Sequence, residues 1–311
     1  MPVKKIYPPV RSIISVIIPS LDGHRGGSVE RLVRQLKEQT LRDFDILLVI
    51  GERPNGHARN VGVREAKGDI FVFIDDDAIL GDTYTIANLI APFQIDKKIG
   101  MTGASTCIPS DSNRFQKFLA RQVSSAIYPV VTEITDTLDG ATHLCCAFPR
   151  RVWEELGGEN DLLISGTDVD MRHRVRLAGY RAVLAPNCWA YHPLPPSLMK
   201  YLRTVFGYGA GTPVFLKECP ELGRFRSQFR AVLNLIVAVM LIIPGSFLEV
   251  NLTERRVDMR FNPILALSKP VNWLGYLRGI RRYIRSGAYE AAKQSLANGG
   301  SGWGDVCSQG S

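Results

Sequence analysis

Short apolar runs alternate with amphipathic stretches through the first two-thirds of the chain. Three β-branched runs bounded by turn residues are typical of strands covered on both faces, and two weaker candidates follow: 13–18, 45–50 and 70–74, then 99–104 and 182–185. Between them, SVERLVRQLKEQT places apolar side chains on one helical face, and GHARNVGVREAKG is typical of a helix that ends at Gly68. This alternation predicts an α/β fold with a Rossmann-like, mostly parallel sheet flanked by helices, over residues 1–215.

The pattern changes after about residue 215. The stretch AVLNLIVAVMLIIPGSFL (231–248) is nearly all apolar, but Asn234 and the Pro244-Gly245 break leave it short of the roughly 20 apolar residues that span a bilayer. A tilted or re-entrant membrane segment, an interfacial helix and a buried core helix are all compatible with it. We expect residues 216–290 to form a helical, membrane-associated region.

A second C-terminal stretch, NWLGYLRGIRRYIR (272–285), separates its side chains by type. Its aromatic and aliphatic residues fall on one side of a helix and its four arginines on the other, as in a helix lying in an anionic interface. A surface helix with a solvated basic face gives the same pattern. The sequence therefore predicts peripheral or partial membrane contact through residues 231–285, followed by a flexible Gly/Ser-rich tail at 291–311.

Composition narrows the class of protein. The 311 residues, 45% hydrophobic and 22% charged, are typical of a globular protein, and the net charge of +8 favours an anionic partner. The basic residues are spread out and lack interleaved stacking aromatics outside the C-terminal helix, so we expect no nucleic-acid binding. The six cysteines include no CxxC pair, which predicts free thiols in a reducing compartment. Prolines interrupt the N-terminus, which lacks the apolar core of a signal peptide, so we expect the protein in the cytoplasm.

Three consecutive aspartates, Asp75, Asp76 and Asp77, follow the predicted strand 70–74. Ligands of open α/β sheets bind beyond the carboxyl ends of the strands, so this position suits a site. Carboxylates there can hold Mg²⁺ or Mn²⁺ together with substrate phosphates, and Asp75 and Asp77 point to the same side if the extended direction continues. A solvated acidic turn or a helix cap is the structural alternative.

A second acidic stretch is ISGTDVDMRHRVRLAGYR (164–181). Thr167 and Asp170 have the spacing of a capping box, and Asp168 falls in the first helical turn, where a carboxylate is favoured by the helix dipole. Local helix formation therefore accounts for much of this stretch.

Four stretches in this order resemble the family 2 glycosyltransferases with the GT-A fold: SVIIPS, ARNVGVREAKGDIFVFIDDD, AFPRRVWEELGG and SGTDVDMRHRVRLAGYR. The resemblance covers about residues 13–192. It implies a metal-dependent, inverting transfer from a nucleotide-sugar donor to a hydroxyl acceptor. The QxxRW motif of processive synthases is absent from the sequence, which favours transfer of a single sugar.

The resemblance also implies roles for particular residues. Asp75 to Asp77 correspond to the DxD motif, with Asp77 as metal ligand, Asp75 as a second ligand nearer the nucleotide, and Asp76 grouped with the nucleotide contacts. Asp168 matches the general base, although Thr167 stands where the family has a glutamate. The remaining candidates are Pro19, Glu52, Arg59 and Asn60 beside the nucleotide, and His192 either as a metal ligand or as a histidine packed beside Pro193.

The acceptor is predicted to be a glycan or a lipid-linked molecule at the cytoplasmic face of a membrane, because the C-terminal region is apolar and basic. Two other functions remain open from the residues. One is a sugar nucleotidyltransferase, for which PSLDGHRGGS would serve as the phosphate loop. The other is a non-catalytic nucleotide-sugar-binding scaffold at the membrane.

Overall fold

The computed structural model describes residues 2–7, 13–123, 127–251, 256–259 and 261–308. Parts of the N-terminal stretch and the last three residues of the predicted tail lie outside the described residues. The chain forms two compact units. The sheet unit comprises 1–110, 125–161 and 167–193, and the helical unit comprises 111–124, 162–166 and 194–311. The boundary expected at residue 215 thus falls near 193.

The strands, labelled β1 to β11 in chain order, are Val3–Tyr7, Ile14–Ser20, Phe44–Ile50, Ile70–Ile74, Ile79–Leu80, Ile99–Cys107, Thr135–Asp136, Cys145–Pro149, Arg181–Tyr191, Leu248–Asn251 and Arg256–Met259. The helices, α1 to α13, are Ser28–Lys37, Asn55–Glu65, Thr85–Ile90, Pro92–Ile95, Arg114–Gln122, Arg150–Glu155, Thr167–Leu177, Leu198–Glu218, Gln228–Met240, Ile242–Phe247, Pro263–Gly279, Ala288–Ala297 and Trp303–Ser308. Short 3₁₀ turns occupy Arg25–Gly27 and Pro220–Leu222, and a π-helical turn, Ile280–Arg285, continues α11.

The predicted α/β class is confirmed. Within the described residues the main sheet has the order β1-β3-β2-β4-β8-β6-β9-β5, with β7 alongside β9. Strand β2 runs parallel to β3 and β4, and β6 runs parallel to β9. Strand β8 lies antiparallel between β4 and β6, so the sheet is mixed. The carboxyl ends of β2, β3 and β4 meet at one edge, where the acidic triplet follows β4.

Successive residues of the parallel strands enter two different hydrophobic clusters. Val16 and Val72 belong to one cluster, whereas Ile17, Phe71 and Phe73 belong to the other. Because strand side chains alternate between faces, both faces of the sheet are covered, and each fully buried aliphatic or aromatic side chain contributes about 1.5–3 kcal/mol. Burial on both faces explains why these strands are continuous apolar runs.

In the helical unit, α8 and α11 cross closely at glycines. A Cβ atom at Gly209 would overlap the backbone carbonyl of Asn272, and one at Gly275 would overlap the carbonyl of Phe206. Tyr276 and Ile280 are buried next to Ala231 of α9. The apolar side of 272–285 is therefore covered by protein, which contradicts its interpretation as an interfacial helix.

The apolar stretch 231–248 is divided between α9 and α10. Among the described residues, none of the helices combines the length and apolarity that crossing a bilayer requires. Most of α9 is also not a core helix, because only Ala231 and Ala238 are buried in it. Its large apolar side chains are exposed, with Phe229 at 79% and Met240 at 73%.

The tail predicted to be flexible from residue 291 is helical through most of its described length. Helices α12 and α13 pack Tyr289, Ala292 and Trp303 into one hydrophobic cluster. The Trp303 indole Nε1 donates to the Leu162 carbonyl at 3.0 Å, and its ring stands edge-on to Tyr283 with centroids 5.1 Å apart. The prediction was wrong here because burial of Ala292 and Trp303 outweighs the Gly/Ser-rich composition.

Five of the cysteines have described side chains, and these five are free thiols. Burial raises the pKa of Cys145 and Cys146 well above the ordinary value, which keeps both in the unreactive thiol form.

Candidate active site

The acidic triplet turns sharply at the end of β4. The backbone N–H of Ala78 donates to the carbonyl of Asp75 at 3.0 Å, closing a turn that contains Asp76 and Asp77. Asp76 is buried, whereas Asp75 and Asp77 are half-buried at the surface. The turn ends the extended direction of β4, so strand alternation no longer assigns Asp75 and Asp77 to one side, and the three carboxylates differ in exposure.

Arg25 joins two of these carboxylates. It belongs to the 3₁₀ turn that follows β2, and its Nη1 and Nη2 lie 2.7 Å from Asp76 Oδ1 and 2.5 Å from Asp77 Oδ2. Burial raises the pKa of Asp76, although a hydrogen bond from Ser20 and the charge of Arg25 act against this. The guanidinium supplies the positive charge that allows the two carboxylates to lie side by side.

Arg59 binds the remaining carboxylate of the triplet, that of Asp75. Its guanidinium is buried on α2, donates from Nη2 to Asp75 Oδ1 at 2.9 Å, and places Nη1 3.4 Å from Glu159 Oε2. Burial alone would lower the pKa of Arg59, but the charges of Glu159 and Asp75 outweigh it and hold the pKa above its ordinary value. Arg59 is thus a buried cation between two carboxylates.

The chain of contacts continues from Glu159 to α7. Glu159 is buried, and its Oε1 lies 2.8 Å from His143 Nε2, while His143 Nδ1 lies 3.5 Å from Thr167 Oγ1. Burial alone would raise the pKa of Glu159, but His143 and Arg59 outweigh it and lower the pKa to about 2. Through Arg59, Glu159 and His143, the acidic triplet is thus connected to Thr167, the first residue of α7.

Asp168, the next residue of α7, is fixed by an arginine one turn later. Arg172 Nη1 donates to Asp168 Oδ2 at 3.1 Å and to the carbonyl of Ala141 at 2.6 Å, and the Arg172 side chain is almost fully buried. Nearby, burial and a hydrogen bond to Asp139 raise the pKa of Tyr128 to about 12, so the phenol stays protonated. Among the described residues, no hydrogen bond is formed to Asp168 Oδ1, the other oxygen of this carboxylate.

His57, in the helix that follows β3, lies between two carboxylates. His57 Nε2 lies 3.4 Å from Glu52 Oε2, and His57 Nδ1 lies 3.3 Å from Asp161 Oδ2. The contact with Asp161 raises the pKa of His57. Pro19 is buried at the end of β2 and pairs in register with Val49 of β3. Glu52 and Pro19 thus follow or end the strands at the sheet edge where the acidic triplet lies, and their contact with a nucleotide stays a prediction.

Asn60 has partners inside the protein. Its Nδ2 donates to the Glu159 carbonyl and to Asp161 Oδ1, both at 2.7 Å, and its Oδ1 accepts from the Glu159 N–H at 3.0 Å. This amide holds the 159–161 turn against α2. The Asn60 side chain therefore supports Glu159 and Asp161. Its contact with a nucleotide stays a prediction.

The sequence matches the model described as "Glycosyltransferase like family 2" over residues 3–206, about two-thirds of the chain. The chain belongs to this glycosyltransferase family. The match confirms the resemblance that the ordered motifs predict, and identifies the protein as an enzyme that transfers sugars. No curated protein is similar enough to the chain to count as a match.

Three solved structures resemble this chain at low identity. They are the mannosyltransferase PcManGT from Pyrobaculum calidifontis in complex with GDP-Man and Mn²⁺ (15% identity, 93% of this chain and 81% of that chain, TM-score 0.49), GalNAc-T7 with UDP, GalNAc and Mn²⁺ (16%, 67% and 52%, 0.45), and S. aureus TarS 1–349 (13%, 86% and 91%, 0.44). At TM-scores below 0.5 these likenesses carry no argument about the ligands of this glycosyltransferase.

The residues expected to bind a divalent metal are only partly assembled. His192 Nε2 lies 3.9 Å from Asp77 Oδ2 at the end of β9, but among the described residues no group of three or more His, Cys, Asp or Glu side chains forms a metal site. A carboxylate oxygen and an imidazole nitrogen are suitable donors for Mn²⁺. The donor set therefore fits a metal, provided that Arg25 leaves Asp77 and the substrate diphosphate adds its own oxygens.

The sequence analysis assigned no supporting role at this site to four residues that hold it together: Arg25, His143, Glu159 and Arg172. Arg25 had a usable signal, because it lies beside two glycines, Gly26 and Gly27, in the loop after the first buried strand. Glu159 had none, because its partners Arg59 and His143 are distant in sequence. Arg172 follows Asp168 by four residues, a spacing at which helical side chains meet.

Proposed function

We propose that this glycosyltransferase transfers a single sugar from a nucleotide-sugar to a hydroxyl acceptor, with inversion at the anomeric carbon and with Mn²⁺ or Mg²⁺ as cofactor. The observation that carries the proposal is the pairing of Asp168 with buried Arg172, in the same unit as the acidic triplet. Arg172 holds Oδ2, so Oδ1 can accept the proton of the acceptor hydroxyl. General-base catalysis of this kind contributes about 10²–10⁴ in rate.

The carboxyl edge of β2, β3 and β4 supports donor binding. Asp77, Asp75 and His192 would hold the metal, which neutralises negative charge on the departing diphosphate when bound. Glu52 and Pro19 border the space proposed for the base and ribose, and Arg59 keeps Asp75 oriented. Contacts through Arg59, Glu159 and His143 link Asp75 to Thr167, the neighbour of Asp168. This link supports the proposal that donor and base are held in a reactive geometry.

The acceptor proposed is a glycan or lipid-linked molecule at the cytoplasmic face of a membrane. The exposed apolar side chains of α9 support this part of the proposal, because monomeric proteins rarely expose large contiguous apolar patches.

A panel of nucleotide sugars, with and without Mn²⁺, Mg²⁺ and a chelator, tests the reaction. We expect nucleoside-diphosphate release that the chelator abolishes, and a glycoside of inverted configuration. Release of pyrophosphate would instead indicate a sugar nucleotidyltransferase, and donor binding without any product would indicate a scaffold. Product formation that is unchanged by the chelator would contradict metal dependence.

The base assignment has its own variant. Asp168→Asn should lower kcat by about 10²–10⁴ while nucleoside-diphosphate affinity stays unchanged, because the amide cannot take a proton. The matched control is Asp43→Asn, an exposed aspartate just before β3, which should leave kcat unchanged. Wild-type turnover by Asp168→Asn would overturn the assignment.

A further inference from the structure

The helical unit contains a basic pocket of about 510 Å³ between α8, α9 and α11. Three cations line it, namely Arg224, Arg226 and Lys269, together with the amides of Asn234 and Asn272. No Asp or Glu is among its lining residues in the described part of the chain. A concave site with several cations and no carboxylate concentrates anions.

These cations differ from two lysines in the same unit. Lys217 lies 3.9 Å from Glu290, and Lys293 lies 3.9 Å from Glu218, so both have a carboxylate partner. Among the described side chains, Arg224, Arg226 and Lys269 form no ion pair. The pocket therefore offers uncompensated positive charge and amide groups, a chemistry that suits a phosphate group.

The pocket also has a fixed wall. The Tyr276 hydroxyl accepts from the backbone N–H of Arg226 at 2.7 Å and donates to the Arg226 carbonyl at 3.1 Å. The Tyr276 ring packs against Trp273 with centroids 5.3 Å apart. The backbone that carries Arg226 is thus anchored to α11, which holds this cation at the pocket in the absence of a ligand.

One side of the pocket is apolar and continues onto an exposed face. Val237 and Leu241 line it and are 44% and 51% exposed. Beside them on α9 and α10, Ile236, Met240 and Ile243 are also exposed, the last at 75%. A small soluble phosphate compound would gain nothing from this face, whereas a lipid presents a phosphate with apolar chains attached.

We propose that this pocket binds the phosphate headgroup of an anionic membrane lipid while the exposed face of α9 and α10 enters the acyl region. These helices have 13 and 6 residues, so the contact is peripheral. The inference makes the proposed membrane contact specific, but it does not depend on sugar transfer. Its test measures binding alone, so its failure is distinguishable from a failure of the proposed reaction.

The first measurement is sedimentation of the full chain with vesicles of phosphatidylcholine, alone or with phosphatidylglycerol. We expect binding only to the anionic vesicles. Arg226→Gln/Lys269→Gln should weaken it roughly 10- to 30-fold, since each cation near an anionic surface contributes about 1 kcal/mol. The control Arg281→Gln/Arg285→Gln removes the same charge from exposed positions outside the pocket and should weaken binding less than about threefold. Equal losses in both variants would overturn the pocket assignment.

The second measurement separates the sources of phosphate and the occupants of the apolar face. Isothermal titration with inorganic phosphate and glycerol phosphate should show no binding at vesicle-saturating concentrations, and saturable binding of either without vesicle binding would overturn the proposal. Ile236→Asn/Met240→Gln should also reduce vesicle binding. Analytical ultracentrifugation showing a dimer that this variant dissociates would instead assign the face to a second copy of the chain.

Discussion

The two units of this glycosyltransferase differ in which charged and apolar side chains they bury and which they expose. The sheet unit buries charged groups in pairs, as with Arg59 between Asp75 and Glu159 and with Arg172 on Asp168. The helical unit keeps cations such as Lys269 at its surface and exposes large apolar side chains, including Phe229 at 79%. The sheet unit thus surrounds an ordered polar site with protein, whereas the helical unit leaves apolar surface exposed that a partner can cover.

The difference has a physical cause. A charge in the protein interior costs several kcal/mol unless a partner of opposite sign is well placed, so each buried ion fixes the position of another. This fixes the candidate active site before substrate arrives. An exposed apolar face costs free energy until something covers it, so it is suited to association. Three variants test this contrast, in order of decreasing effect.

The largest effect is expected for Glu159→Gln. Removing one member of a buried ion pair typically costs about 3–5 kcal/mol. Here Arg59 would keep Asp75 as its carboxylate partner, and His143 would lose its contact with Glu159. Denaturant unfolding at pH 7 measures the loss. The control is Glu154→Gln, whose exposed pair with Arg150 is worth less than about 1 kcal/mol.

Acid dependence sharpens this prediction. The folded-state pKa of Glu159 is lowered from the model-compound value of 4.5 to about 2. Its contribution to stability is therefore complete above about pH 4.5 and is lost as the pH falls toward 2. Glu159→Gln should remove this part of the acid destabilisation; an identical acid profile in the variant and the wild type would contradict the pairing.

A smaller effect is expected for Arg25→Gln. The substitution frees carboxylate oxygens of Asp76 and Asp77, so Mn²⁺ affinity, measured by calorimetry without donor, should rise roughly threefold to tenfold, because each exposed ion pair is worth about 0.2–1 kcal/mol. The matched control is Arg31→Gln, since Arg31 donates to Ser28 Oγ at 3.4 Å and to the backbone carbonyl of Asp77 at 3.5 Å, and not to a carboxylate of the described triplet. An equal rise in both variants would mean that net charge, and not the occupied carboxylates, controls metal binding.

The smallest effect is expected for Ile236→Ala on the exposed face of α9. It should change the free energy of unfolding by less than about 0.5 kcal/mol, because its side chain is 48% exposed. Ile280→Ala in the same unit should cost about 2–5 kcal/mol, because that side chain is 3% exposed. If the two losses were equal, Ile236 would be part of a packed core and the contrast between the units would fail.

Much of the sheet unit was predictable because its strands are short apolar runs between turn residues. Strand β4 has the predicted bounds, and β2 and β3 agree within two residues. Strand β8 was missed as a strand, because CCAFP has no alternation and no β-branched residue. The helical unit was predicted less well, since the apolar side of 272–285 could face lipid or protein and only packing against α8 and α9 decides between them.

The sequence alone determined the α/β class, the position of Asp75, Asp76 and Asp77 after a buried strand, and the place of Asp168 in the first turn of a helix. These follow from periodicity and helix-end preferences, which act over a few residues. Only the tertiary structure decided that Arg25 bridges Asp76 and Asp77 and that Glu159 links Arg59 to His143. It also left α9 exposed while it buried the apolar side of α11. Such pairings depend on the cost of burying charge and apolar surface, and this cost is set by groups that lie far apart along the chain.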